Sequence, residues 1–217
     1  MVGVFNRHAD DLVAQLDAAA ADGAPVDVQA LFRRFTIDSF GDAFFGVDLG
    51  TLNKPSEFAR HFDFLQSFFA WRFRLDPWWR ILPTPPQVRR SLAYVNTFLH
   101  GLIAAARKDP LLEERTDLLA AYLRSTDDAG QPFTDQYLRD MLLNFLLAGR
   151  DTTASLLTWL VYCLSGRDDV EGKLLEEIAR VVGMDADPEP EHLPELRYMK
   201  AVRQRPRRPA RVASPAR

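Results

Sequence analysis

LRDMLLNFLLAGRDTTASLLTWLVYCLS, residues 138–165, decides the fold class of this chain. Leu138, Met141, Leu142, Phe145 and Leu146 recur at three- and four-residue spacing, and Leu156, Leu157, Leu160, Val161 and Leu164 resume the stripe. That period places apolar side chains on one face of a helix. With Thr134 as N-cap, the predicted helix runs to about Ser165, far longer than the globular average. Its centre is odd: charge interrupts the apolar run at Arg150 and Asp151, flanked by Ala148, Gly149, Thr152 and Thr153. Burying such charges costs several kcal/mol, in order of magnitude, unless they are paired or hydrated. Stability alone does not ask for them.

At about 100° per residue, Ala148, Gly149, Thr152 and Thr153 fall within one arc of roughly 140°. The arc is shallow because its side chains are small, and Phe145 and Leu156 bound it one turn away at each end. Asp151 sits at its edge and Arg150 points away. Two readings fit. A slab-shaped ligand lies against the arc with a hydroxyl and a carboxylate beside it, or the small residues let a neighbouring helix approach closely. Thr152 is within reach of the Ala148 carbonyl, a bond that often bends helices. A bend at Gly149 would open room for a small molecule or water.

Outward from this segment the pattern stays helical. Helices are predicted over Asn6–Ala21, from Asp27 through Phe40, over Ser56–Phe73, Gln87–Lys108, Asp117–Ser125, from Asp168 to Gly183, and from Leu196 to Val202. Gly41, Gly46 and Gly50 predict irregular backbone over Phe44–Thr51, and Asp76-Pro77 with Pro83–Pro86 predicts a rigid connector. The aromatic stretch Phe58–Phe73 suits either an apolar substrate channel or a helix face in a core, and spacing does not choose between them. No strand run, repeat or heptad array emerges, so the class is all-α.

Composition narrows the function. Hydrophobic residues make up 47% and charged residues 26%, as in ordinary globular domains. The single cysteine, Cys163, rules out an internal disulfide framework. The start, MVGVFNRHADD, lacks the basic-then-apolar pattern of a signal peptide or anchor. The last fifteen residues, RQRPRRPARVASPAR, hold six arginines and no acid, so the net charge of −3 averages an acidic body with a basic tail. With no aromatic residue, the tail reads as disordered rather than as a nucleic-acid surface. The four histidines are scattered, and no phosphate loop, zinc cluster or nucleophile elbow is present. No metal site is predicted from side chains of this chain.

Ala148-Gly149-Arg150-Asp151-Thr152-Thr153 resembles the oxygen-activating segment of cytochromes P-450, whose pattern is Ala/Gly-Gly-x-Asp/Glu-Thr-Thr/Ser. The likeness extends to FTIDSFGDAFFGVDLGTL (35–52), DVEGKLLEEIARVVG (169–183) and LPELRYMKAV (193–202), which are similar to family segments in the same order. The wording is nearest the fatty-acid ω-hydroxylase branch. The resemblance implies a partial cytochrome P-450 fold over 1–202, followed by an Arg/Pro-rich, disordered or out-of-frame tail over 203–217. It implies that Ala148, Gly149, Thr152 and Thr153 line the distal face of a haem, with Asp151 and Thr152 as the acid–alcohol pair delivering protons to dioxygen. It further implies a monooxygenase acting on an apolar aliphatic substrate such as a fatty acid, an NADPH-cytochrome P-450 reductase as partner, and the endoplasmic reticulum membrane as location.

The same resemblance sets an opposing expectation. The family's axial cysteine lies in a Phe-Gly-x-x-Arg-x-Cys-x-Gly loop, which this sequence does not contain. Cys163 is no substitute: it lies fourteen residues beyond Gly149 on the same helix, about 21 Å along it. The family's bracing Glu-x-x-Arg pair is absent after Val202. Glu57/Arg60 and Glu177/Arg180 copy its spacing but read as exposed helix pairs. The chain as given is therefore expected to be a catalytically inactive helical fragment, cytoplasmic if expressed alone, and poorly soluble.

Overall fold

The computed structural model describes residues 2–73, 83–184 and 186–204. Its α-helices are α1 (Val2–Asp22), α2 (Val28–Phe45), α3 (Glu57–Phe73), α4 (Pro86–Arg107), α5 (Leu118–Arg124), α6 (Asp135–Leu164), α7 (Asp168–Val181) and α8 (Arg197–Gln204). Among the described residues the only pairing of β type is an isolated bridge between Thr126 and Pro132. The chain is all-α. Sequence signals account for most boundaries. Asp27 Oδ1 accepts from the Ala30 amide, Asp117 Oδ1 from Ala120, and Thr134 Oγ1 from Tyr137, so each caps the helix that follows. Pro86 occupies the first position of α4, where its missing N–H costs nothing. The Asp76-Pro77 step of the predicted connector, and the tail beyond Gln204, lie outside the described residues.

Two boundaries differ from the sequence reading: α1 begins at Val2 rather than Asn6, and α2 runs further than Phe40. Phe44 and Phe45, predicted as irregular, complete α2. The helix is closed by Gly46: its amide donates to the Asp42 carbonyl, and its φ of 66° turns the chain so that the Val47 amide reaches the Gly41 carbonyl. A side chain at Gly46 would also meet Arg115, whose Nη2 lies 2.6 Å from the position a Cβ would take.

The chain divides into two compact units, residues 33–151 and residues 1–32 with 152–217. The first holds a contiguous core. Ile37 and Phe45 from α2, Phe58, Phe62 and Leu65 from α3, and Leu138, Leu142 and Leu146 from α6 are buried with the Val88, Val95, Leu99 and Ile103 stripe of α4. Each such side chain contributes about 1.5–3 kcal/mol of burial. The aromatic stretch of α3 therefore splits: Phe58 and Phe62 are core, whereas Phe69 and Trp71 are exposed. Arg115 ties the periphery together, donating to Asp109 Oδ2, Asp117 Oδ2 and the Phe45 carbonyl. Asp38, buried on α2, accepts from the amides of Thr51 and Leu52, which pins the loop after α2. Burial pushes the Asp38 carboxyl above the ordinary range, and those two amides oppose the rise.

The second unit contains α1, the latter half of α6, α7 and α8. Asp168, Asp169 and Glu171 occupy the first turn of α7, where the helix dipole favours negative charge. Glu177 corrects the sequence reading, which made it an exposed partner of Arg180. It is buried, and its two oxygens accept from the Tyr198 and Met199 amides at 2.8 Å each. It thus caps α8 from α7. Glu57 does pair with Arg60 at the surface, as read. Cys163 is half-buried beside Leu160 and Arg167 in a cavity of about 550 Å³. No helix among the described residues is long and apolar enough to cross a membrane.

Candidate functional site

In the unit 33–151, α6 turns Leu138, Leu142 and Leu146 into the core and leaves Tyr137, Asp140, Asn144 and Ala148 exposed. Ala148 thus closes an exposed ridge at successive turns of one helix. Asn144, Phe145 and Ala148 line a groove of about 330 Å³ that begins at Tyr137.

Arg150 faces the opposite way, as its position on the helix predicts, and is only 2% exposed. Its burial is made tolerable by partners. Nη2 lies 2.5 Å from Asp63 Oδ1, and Nη1 donates to Gln66 Oε1 at 2.7 Å. Nε reaches the Arg33 carbonyl at 3.5 Å, and the guanidinium stands 5.5 Å from the centre of the Phe62 ring. Gln66 then donates from Nε2 to Asp151 Oδ2 at 2.7 Å. The other oxygen, Asp151 Oδ1, is buried without a hydrogen bond, 3.8 Å from Arg150 Nη1. Asp151 is therefore a carboxylate hydrogen-bonded on one oxygen and, on the other, loosely ion-paired with Arg150 and without a hydrogen bond. Asp63 and Gln66, both on α3, are the members of this network that sequence reasoning missed. They are eighty-four or more positions away from Arg150 and Asp151, and only their i, i+3 spacing on a helix hints that they act together.

Gly149 packs differently from its neighbours. A Cβ at this position would lie 2.1 Å from Phe40 Cε1, so the ring closes directly on the helix backbone. Phe40 stacks on Phe44, with centroids 5.0 Å apart, and Phe44 on Phe145 at 5.7 Å. The reading of small residues as admitting a close neighbour thus holds at Gly149, while the open part of the arc in this unit is Ala148.

In the unit formed by residues 1–32 and 152–217, Thr152 is exposed, Thr153 half-buried and Ala154 buried. Thr158 donates from its hydroxyl to the Ala154 carbonyl at 2.7 Å, a threonine bond to the preceding turn. Ala148 and Thr152, one turn apart on α6, are the two motif side chains at the surface; Gly149, Asp151 and Thr153 are half-buried.

Within the unit 33–151, α6 thus offers the small, exposed Ala148 and, three residues on, a carboxylate hydrogen-bonded on one oxygen only.

Comparison with known proteins gives these features a context. Residues 1–204 match the family described as Cytochrome P450. The chain is 31% identical over 202 residues to Cytochrome P450 704C1 of Pinus taeda, covering 85% of this chain and 39% of that protein. It is 33% identical over 199 residues to Cytochrome P450 52A1 of Candida tropicalis, covering 83% and 36%. It therefore spans between a third and two fifths of these curated relatives. The fold is similar to that of a crystal structure of a cytochrome P450 named CYP102L1, with a TM-score of 0.79 at 18% identity, covering 92% of this chain and 46% of that one.

Proposed function

The chain belongs to the cytochrome P450 family, and on that premise we propose that its α6 forms the oxygen-side wall of a haem-dependent monooxygenase. The substrate class is aliphatic and apolar, a fatty acid being the leading candidate. The observation that carries the reading is Asp151 itself: a carboxylate anchored through Oδ2 by Gln66 and left without a hydrogen bond at the buried Oδ1, next in sequence to the exposed Thr152.

The residues present fit a haem. Ala148 and Thr152 are exposed with little bulk, and the groove reaching Ala148 is lined by Phe145 and Met141. Ala148, Gly149, Thr152 and Thr153 would hold its face by dispersion contact, with Gly149 acting mainly through its backbone because Phe40 covers its α-carbon. When bound, the haem supplies the iron at which dioxygen is activated. Asp151 and Thr152 take up and release protons beside it, a relay of carboxylate and hydroxyl that limits flooding of the site by water. The electrons come from a reductase of the NADPH-cytochrome P450 reductase class at the endoplasmic reticulum, in keeping with the family.

The substitution Ala148→Phe tests this placement, because it adds bulk where the structure has an exposed methyl group. In the haem-loaded enzyme carrying this segment, haem retention should weaken at least about tenfold. The melting of the haem-free protein should stay within about 0.5 kcal/mol, as surface substitutions do. Unchanged haem retention would remove Ala148 from the haem face.

A further inference from the structure

Gln66 spans two side chains whose hydrogen-bonding character leaves it no choice of orientation. A guanidinium only donates, so the atom that Gln66 sets against Arg150 Nη1 is its oxygen, at 2.7 Å. The amide NH2 then necessarily faces Asp151 Oδ2, also at 2.7 Å. Turning the amide over would oppose donor to donor on one side and acceptor to acceptor on the other.

We propose that Gln66 is a positioning residue for Asp151, committing Oδ2 to accept a hydrogen bond and assigning the proton to Oδ1. This rests on the reading of Asp151 as a proton carrier. An O–H bond forms at Oδ1 as one O–H bond of a hydronium ion admitted to it breaks and leaves water, and the Oδ1–H bond breaks when the proton passes to the next acceptor. Oδ1 suits the task because it is buried and accepts no hydrogen bond, its ion pair with Arg150 Nη1 being loose at 3.8 Å. Arg150 faces the pair from α6 and Asp63 from α3, while α2 contributes the neutral Arg33 carbonyl. Asp63 keeps Arg150 in place, Arg150 fixes the Gln66 amide, and the amide fixes Asp151. The chain of control runs from a surface carboxylate to the proton-bearing one.

The side-chain amide of Gln66 reports on this directly. In the full chain labelled with 15N-glutamine, the Gln66 NH2 signals should move with pH in a step that Asp151→Asn abolishes and Asp63→Asn leaves in place. Signals that ignore pH, or a step that survives Asp151→Asn, would overturn the proposal and leave Gln66 as a support for Arg150 alone. Gln66→Glu is the second variant. It keeps an oxygen for Arg150 but replaces the N–H facing Asp151 with an acceptor. In the haem-loaded enzyme it should lower kcat about tenfold while KM stays within about twofold, the split expected when a proton-transfer group is misplaced. An unchanged kcat, or a loss confined to KM, counts against the assignment. Haem placement is read separately by Ala148→Phe. If that variant retains haem while the amide step behaves as stated, the haem assignment fails and the hold of Gln66 on Asp151 stands.

Discussion

Arg150 carries its charge where water scarcely reaches, and its neighbours decide whether that is tolerable. Asp63 lies at 2.5 Å and the Gln66 amide at 2.7 Å, so the guanidinium is paired and hydrogen-bonded. Removing it should cost more than its charge suggests, because Gln66 Oε1 then loses its donor and the amide is free to turn. Arg150→Met is expected to lower stability by about 2 kcal/mol in urea unfolding, with methionine refilling part of the volume. A change below about 0.5 kcal/mol would show the network to be incidental. Gly149 makes a sharper prediction, since even a methyl group there meets the Phe40 ring at 2.1 Å. Gly149→Ala should destabilise by about 1–3 kcal/mol despite the better helix propensity of alanine, and pairing it with Phe40→Leu should recover part of the loss. Were Gly149→Ala to stabilise the protein, the close approach of Phe40 would be wrong.

Among the elements, α8 is short and depends on its neighbour. Its first amides are satisfied by Glu177 of α7 rather than by a cap of its own. Burial pushes the Glu177 carboxyl up, but the amides of Tyr198 and Met199 and the charge of Arg180 outweigh it, so the group is held below its ordinary value of 4.5. A depressed carboxyl stabilises the fold above its unfolded value and loses that contribution as pH falls through the lower, folded one. The protection factors of the Tyr198 and Met199 amides, referenced to intrinsic exchange at each pH, should therefore be high at neutral pH and fall as the pH drops below the ordinary carboxylate value. Protection factors in Glu177→Gln should lose this acid-dependent step. An identical pH response in the variant would place the titrating group elsewhere. The sequence showed the existence of α7 and α8 through periodicity and acidic start signals. It did not show that Glu177 joins them, because an i, i+3 acid–base pair on a helix looks the same whether it faces water or the next helix. The end of α2 was hidden for a related reason: the glycines that punctuate residues 41–50 mark a stop, but the bonds that choose Gly46 over Gly41 depend on where the chain turns next.

For the whole molecule, the legible part was the helical stripe. Leu138, Leu142 and Leu146 are in the core of their unit as the spacing of α6 required, and the motif at 148–153 identified the family before any packing was known. The illegible part was long-range. Nothing in the sequence joins Gln66 to Asp151, and nothing sends Phe58 inward but Trp71 outward on the same helix. Periodicity sorts faces, whereas pairing across the fold is set by which faces meet. The family is firm, and the activity assigned to α6 rests on Asp151 and Thr152 moving protons beside a haem. The most direct test is product formed per NADPH consumed in the haem-loaded enzyme carrying this segment, compared with Asp151→Asn and Thr152→Ala. With yields compared per haem bound, both variants are predicted to keep substrate affinity while yield per NADPH falls at least about tenfold, the loss expected when proton delivery is removed. Yields matching the parent in both would contradict the role given to this helix.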